Sequence, residues 1–188
     1  GLKLGAVNME DSLMVALLDT YAGLYMAQTS DNLARKYEIS REAQDEFALR
    51  SQKCATEAVK AGLRAITDSI VRFVEAVKHT GAAGIFLALQ HATYDLLAEA
   101  EYREFCRELD LEILAATGGM WFNLVHLHGL NVMFEMVADY PVQLINWHDV
   151  ETPPSLGEAL GRTNKALCGG LRQWETMLRG TPEGVKAE

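Results

Sequence analysis

"NLVHLHGLNVMFEMVADYPVQLINWHD", residues 123–149, is the stretch on which the reading of this chain turns. Two apolar runs, each with the look of a buried strand, stop abruptly in aromatic and ionisable side chains. The first ends in His126 and His128, the second in Trp147, His148 and Asp149. The chain has five histidines, so most of them stand where strands end. Between the runs, "LNVMFEMVA" (130–138) reads as a short helix. A strand, a helix and a second strand joined this way imply a right-handed crossover and a parallel sheet.

The same grammar extends outward from this core. Ile66, Ile70, Phe73 and Val77 line one face of a helix that stops at Gly81. "GIFLAL" (84–89) is a continuous apolar run and reads as a strand buried on both faces. A polar-rich helix over roughly 98–116 follows, with Tyr102, Phe105, Leu109 and Ile113 on its inner side. "MWFNLVHL" (120–127) and "VQLINW" (142–147) are strands, and "TPPS" (152–155) is a turn that opens a helix near Ser155. "KALCGGL" (165–171) and a helical tail complete the series. Four strand–helix units result, enough for half of an eight-fold barrel or for a small open α/β sheet.

In parallel α/β folds the carboxyl ends of the strands converge on one rim, and chemistry sits there. The rim residues are Gln90 and His91, then His126 and His128, then Trp147, His148 and Asp149, then Gly169 and Gly170. Ionisable groups suited to acid–base work make His126, His128, His148 and Asp149 the catalytic candidates. Gln90, His91, Trp147, Gly169 and Gly170 are candidates for holding substrate; the glycine pair would let an anionic group approach the backbone. Trp121 and Trp174 read as core.

Upstream of Gly62 the pattern is helical. "QTSDNLARKYEIS" opens on the N-cap types Thr29, Ser30 and Asp31 and closes before Ser40. A second helix starts from Ser40, with Ala43, Phe47, Cys54 and Ala58 as a modest apolar stripe. The expected organisation is a helical segment over 1–62 and an α/β part over 63–188.

Bulk composition narrows the function classes. The chain has 188 residues, of which 49% are hydrophobic and 23% charged, a globular composition. No apolar stretch reaches the roughly 18 residues that a membrane span needs, and the N-terminus lacks the pattern of a signal peptide. Net charge is −9, and the Lys and Arg residues form no dense basic run, so neither nucleic acid nor a membrane is expected as a partner. Cys54, Cys106 and Cys168 are dispersed, which fits reduced thiols and a cytoplasmic setting.

Residues 63–188 resemble the C-terminal half of the uroporphyrinogen decarboxylase superfamily. The stretches that carry the likeness are "GAAGIFLALQHATYDLLAEAEYREF", "WFNLVHLHGLNVMFEMVADYPVQLINWHDVETPPSLGEAL" and "ALCGGLRQWETMLRGTPEGVKAE". The resemblance implies half of a TIM-type (β/α)8 barrel, about four parallel β/α units, whose first half is missing. It implies lyase chemistry on a small carboxylated or tetrapyrrole-type substrate without a cofactor. The family's key Asp and Arg pair belong to the missing half, so this chain is expected to be inactive alone. The strand ends that remain carry no Arg.

Residues 5–62 resemble the loop domain of the thiolases, on "MEDSLMVALLDTYAGLYMAQTSDNLARKYEISREAQDEFALRSQKCATEAVKAG". The likeness implies a vestigial coenzyme A contact at Tyr25 and Met26. The cysteine and Gly-His-Pro motifs of thiolase chemistry are absent, and a nucleophilic thiol needs its base beside it. The chain thus reads as a chimera, with Gly62 at the seam.

Two alternatives belong to other classes. Some relatives in the superfamily are methyltransferases with a zinc ion held by His-x-Cys, and His126-Leu-His128 stands where that pair would be. Residues i and i+2 of a strand share a side, so both imidazoles, with His148, could reach one zinc. The second alternative is a non-catalytic half-barrel. Its open sheet edges and uncovered apolar face would favour a homo-oligomer.

Overall fold

The computed structural model describes residues 11–187, and these fall into two compact units divided between Glu57 and Ala58. The first unit begins with α1 (Ser12–Leu17), whose N-terminus is capped by Asp11: its Oδ1 accepts from the backbone of Leu13 at 2.8 Å and of Met14 at 3.3 Å. Two two-residue strands, β1 (Leu18–Asp19) and β2 (Leu24–Tyr25), pair antiparallel. Helix α2 (Met26–Lys36) starts before the expected caps, because the Gln28 side chain reaches back to the Tyr25 N–H at 2.9 Å. Thr29, Ser30 and Asp31 therefore lie inside the helix.

Helix α3 (Arg41–Lys78) is a single run of 38 residues that passes through Gly62 without a break. Ser40 Oγ accepts from the Ala43 N–H at 3.2 Å, as its position before the helix predicts. The stripe of Ala43, Phe47, Cys54 and Ala58 is exposed throughout, with Phe47 67% accessible. Further along α3 the buried residues are Thr67 and Val74, flanked by half-buried Ile70 and Val71. Ile66 and Phe73 remain exposed, so the covered face is turned by one residue from the expected one. The cause is the packing partner, since Val74 meets Ile113 and Ala116.

The second unit continues with β3 (Phe86–Leu89) and α4 (Glu99–Tyr102). One π-helical turn (Arg103–Arg107) joins α4 to α5 (Glu108–Ala115). Then come β4 (Leu124–Leu127), α6 (Phe134–Val137), β5 (Leu144–Asn146), α7 (Leu156–Ala159) and β6 (Ala166–Cys168). A π-helical turn (Gln173–Leu178) and α8 (Pro182–Ala187) end the described chain. The four strands form one parallel sheet in the order β3-β4-β5-β6. Alternating strands and helices thus give the α/β class and parallel sheet that the sequence pattern implies.

One face of the sheet is the core. Leu89, Val125, Leu127, Ile145 and Trp147 pack there with Tyr102, Met133, Phe134, Val137 and Tyr140. The other face is open, and its strands alternate accordingly, β4 reading half-buried, buried, half-buried, buried. Phe86 is 60% exposed, which corrects the expectation that this strand is covered on both sides. Its apolar run reflects a covered face plus an uncovered one, and periodicity cannot separate the two. No helix among the described residues is long and apolar enough to cross a membrane.

Candidate functional site

Strand register assembles the site. Ala88, His126, Asn146 and Cys168 lie side by side across the sheet, two residues beyond the row of Phe86, Leu124, Leu144 and Ala166. Because alternate residues share a face, these rows belong to the open side. Phe86 stacks on the His126 ring, with centroids 5.7 Å apart.

The Asn146 amide fixes the state of His126. Asn146 Nδ2 donates to the Cys168 carbonyl at 2.9 Å, so its Oδ1 is the atom 2.6 Å from His126 Nδ1. An amide oxygen only accepts, so the His126 Nδ1 carries the proton. In the neutral ring Nε2 then keeps its lone pair, which makes His126 a base poised on the open face. The His128 and His148 rings are 6.1 Å and 5.4 Å from it, the latter edge-on. The structure therefore brings together three of the four rim histidines, His126, His128 and His148.

Asp149 has a different place. Its Oδ1 accepts from the Gly170 N–H at 2.9 Å and its Oδ2 from the Leu156 N–H at 3.4 Å. The carboxylate ties the loop after β5 to the loop after β6 and to the start of α7. A Cβ at Gly169 would collide with the Asp149 carboxylate, so a larger residue there would displace that side chain. Gly170 lies against His148, with its N–H already taken. Asp149 and the two glycines thus build the rim's loops.

Trp147 is a correction to the sequence reading. It is fully buried, its Nε1–H donates to the Pro154 carbonyl at 2.7 Å, and its ring packs on Phe134 at 5.1 Å. The reason is parity: Trp147 follows Ile145 on the covered side. Trp121 and Trp174 correct the opposite expectation, being 74% and 59% exposed. Gln90 and His91 stand at the end of β3 and line a separate cavity.

Beside the imidazoles lies an open cavity of about 620 Å³, lined by His128, His148, Glu151, Arg172, Trp174 and Glu175 among others. Arg172 and Trp174 were missed because they follow the glycine pair by two and four residues and lie outside the strand pattern. The expectation concerned the strand ends; Arg172 reaches the cavity from the loop that follows β6. A guanidinium with two imidazoles can hold a carboxylate through charge-assisted hydrogen bonds. A zinc centre fits less well. The His126 Nδ1 is engaged by Asn146, no thiolate stands at position 128, and among the described residues no group of three His, Cys, Asp or Glu could hold a metal ion.

In the first unit, Tyr25 is half-buried in its strand pair and Met26 is 65% exposed at the start of α2. Cys54 is exposed in the middle of α3.

A parallel sheet with an ionisable rim at its strand ends defines an α/β protein. Comparison with known families makes this specific: the model for uroporphyrinogen decarboxylase (URO-D) matches residues 46–188, and the chain belongs to that family. The model for the thiolase N-terminal domain matches residues 1–80. Curated relatives include acetyl-CoA acetyltransferases and ketothiolases. An acetyl-CoA acetyltransferase of Rhizobium meliloti is 47% identical over 75 residues, covering 39% of this chain and 19% of that protein. The mitochondrial 3-ketoacyl-CoA thiolase of Homo sapiens is 49% identical over 63 residues, 33% of this chain and 16% of that protein. Beta-ketothiolase BktB of Cupriavidus necator is 40% identical over 74 residues, 39% of this chain and 18% of that protein. The chain thus spans less than a fifth of these relatives' length. No solved structure matches it.

Proposed function

We propose that the second unit is half of a (β/α)8 barrel of the decarboxylase superfamily, binding a small carboxylated or tetrapyrrole-type substrate at the cavity beside His128, His148 and Arg172. The observation that carries this reading is the cluster of three histidines with an arginine at the carboxyl ends of a parallel sheet. Arg172 would pair with a substrate carboxylate, and His126 Nε2 would accept or return a proton. Loss of CO2 also needs a group that stabilises the developing charge, and the rim's Asp149 carboxylate is committed to tying loops. Alone, the chain therefore binds such a substrate without turning it over. Tyr25 and Met26 retain no coenzyme A function in this reading, and the setting is cytoplasmic.

The test is a titration of a porphyrin bearing eight carboxylates, followed by absorbance, together with a product assay on the corresponding porphyrinogen. Saturable binding, weakened at least tenfold by Arg172→Ala, with no CO2 released, is the expected result. Turnover would overturn the proposed inactivity, and binding indifferent to Arg172 would overturn the site.

The incompletely covered row of Phe86, Leu124, Leu144 and Ala166, exposed at its two edges and half-buried between, favours a second reading for the same unit. A twofold axis along the strands would set β6 of one copy beside β3 of another, parallel, and close eight strands over that row. Sedimentation equilibrium across a concentration series decides it: a defined dimer is expected, and a monomer at every concentration rules the closure out.

A further inference from the structure

The second cavity of this unit, about 310 Å³, lies between α3, β3 and α5, apart from the histidine cluster. Its walls are apolar, supplied by Leu63, Ile66, Ile70, Leu89, Leu109 and Ile113. Asp110 also lines it. The Asp110 Oδ2 accepts from the Tyr102 hydroxyl at 2.6 Å and from the Tyr140 hydroxyl at 3.0 Å. Both tyrosines are fully buried, so this carboxylate is held firmly in place.

The other oxygen is unused. Among the described residues nothing donates a hydrogen bond to Asp110 Oδ1, and the one buried side-chain polar atom without a partner is Thr152 Oγ1. Oδ1 is therefore not sealed in the core, and Asp110 lines the open cavity. The nearby cation is engaged elsewhere: Arg107 Nη2 donates to both Asp139 oxygens, at 2.8 Å and 2.6 Å, and its guanidinium lies over the Tyr140 ring. A carboxylate with one oxygen free of hydrogen bonds, lining an apolar chamber, has the chemistry of a receptor for an ammonium group with a hydrocarbon tail.

We propose that this cavity binds an apolar primary amine, with its ammonium on Asp110 Oδ1 and its alkyl chain among Leu63, Ile66, Ile70 and Ile113. Gln90 lines the same cavity and offers a further acceptor to the ammonium. A carboxylate ligand would be repelled by Asp110, and an alcohol would leave its charge uncompensated. The preference is therefore for amine over alcohol over acid at equal chain length.

The experiment is calorimetric titration of the full chain with hexylamine, butylamine, hexanol and hexanoate in an amine-free buffer. Hexylamine should bind at least tenfold more tightly than hexanol, and hexanoate should not bind. Shortening to butylamine should weaken binding roughly tenfold, since each buried methylene contributes about fourfold. Asp110→Asn keeps the shape and an acceptor for the tyrosines, and it should erase the preference for amine while leaving hexanol unchanged. Equal affinity for amine and alcohol, or a preference that survives Asp110→Asn, would overturn the proposal. If Asp110→Asn does not fold, Ile66→Trp at the exposed lip of the cavity takes its place. It should weaken hexylamine at least fivefold, and unaltered affinity would overturn the proposal equally.

Discussion

Replacing Trp147 by Phe separates a core residue from a substrate-binding one. Trp147 is fully buried, and its indole N–H is 2.7 Å from the Pro154 carbonyl. Phenylalanine keeps one ring against Phe134 and loses the second ring and the donor. The abandoned carbonyl costs about 1–3 kcal/mol. Emptying a buried aromatic site to Ala costs about 3–5 kcal/mol, so losing part of the indole costs about 1–2 kcal/mol. Together the variant should lose about 3 kcal/mol, a large share of the roughly 5–15 kcal/mol that holds a domain folded. With a urea dependence of about 1–3 kcal/mol per molar, the midpoint should fall by about 1–3 M. Two units need not unfold as one, so hydrogen exchange at the β4 and β5 amides is the suitable readout beside far-UV circular dichroism. A substrate-facing tryptophan would behave oppositely, costing under about 0.5 kcal/mol and weakening porphyrin binding. A midpoint within about 0.3 M of the parent, with exchange unchanged, would refute the core assignment.

The remaining predictions concern single sites. Asn146→Leu removes the acceptor facing His126, so long-range ¹H–¹⁵N spectra should show an Nδ1–H tautomer in the parent and its loss in the variant; a parent ring protonated at Nε2 would contradict the assigned network. Burial, above all, raises the Asp110 carboxyl above its ordinary range, against the opposing pull of its tyrosine hydrogen bonds, Arg107 and His91. The folded chain then holds this proton more tightly than the unfolded chain. The resulting stabilisation is complete below the ordinary Asp range and is lost as pH rises through the raised folded value. Asp110→Asn should flatten that decline in urea midpoints measured from acid to neutral pH, and an unchanged profile would contradict it. Gly62 has helical backbone and open space where a Cβ would go, so Gly62→Ala should stabilise the chain by about 0.5–1 kcal/mol; a loss in the same urea assay would mean α3 is not continuous there.

Much of the second unit was legible because its elements announce themselves locally. The four apolar runs became the four strands, in order and parallel, and Ser155 caps α7 as its spacing predicts, accepting from the Glu158 N–H at 3.3 Å. Faces were harder to read than elements. Trp147 was placed on the rim because it ends an apolar run, yet counting by twos from Ile145 already puts it on the core side. Ile66 and Phe73 look like core by hydrophobicity, but which stripe of α3 is covered depends on Ile113 and Ala116, more than thirty residues away. Arg172 was missed for a related reason, since the cavity that makes it interesting is closed by loops after three different strands. The Asp110–Tyr102–Tyr140 cluster likewise joins residues 30 apart in sequence, and no local spacing signals it.

The seam between the two resemblances left no mark in the helical pattern, and helix physics accounts for this. The thiolase match ends at residue 80 and the decarboxylase match begins at residue 46, so the two overlap inside α3. An α-helix satisfies its backbone through bonds four residues back, and its hydrogen bonding does not depend on which ancestral protein supplied each turn. A join inside a strand would have to match a register, because a slip of one residue sends every side chain to the other face. A join inside an exposed helix faces no such demand, and the residues of α3 before Leu63 are all exposed. Gly62 adds a cost of only about 1 kcal/mol. Helices are therefore where unrelated sequences can be spliced without a structural penalty large enough to show.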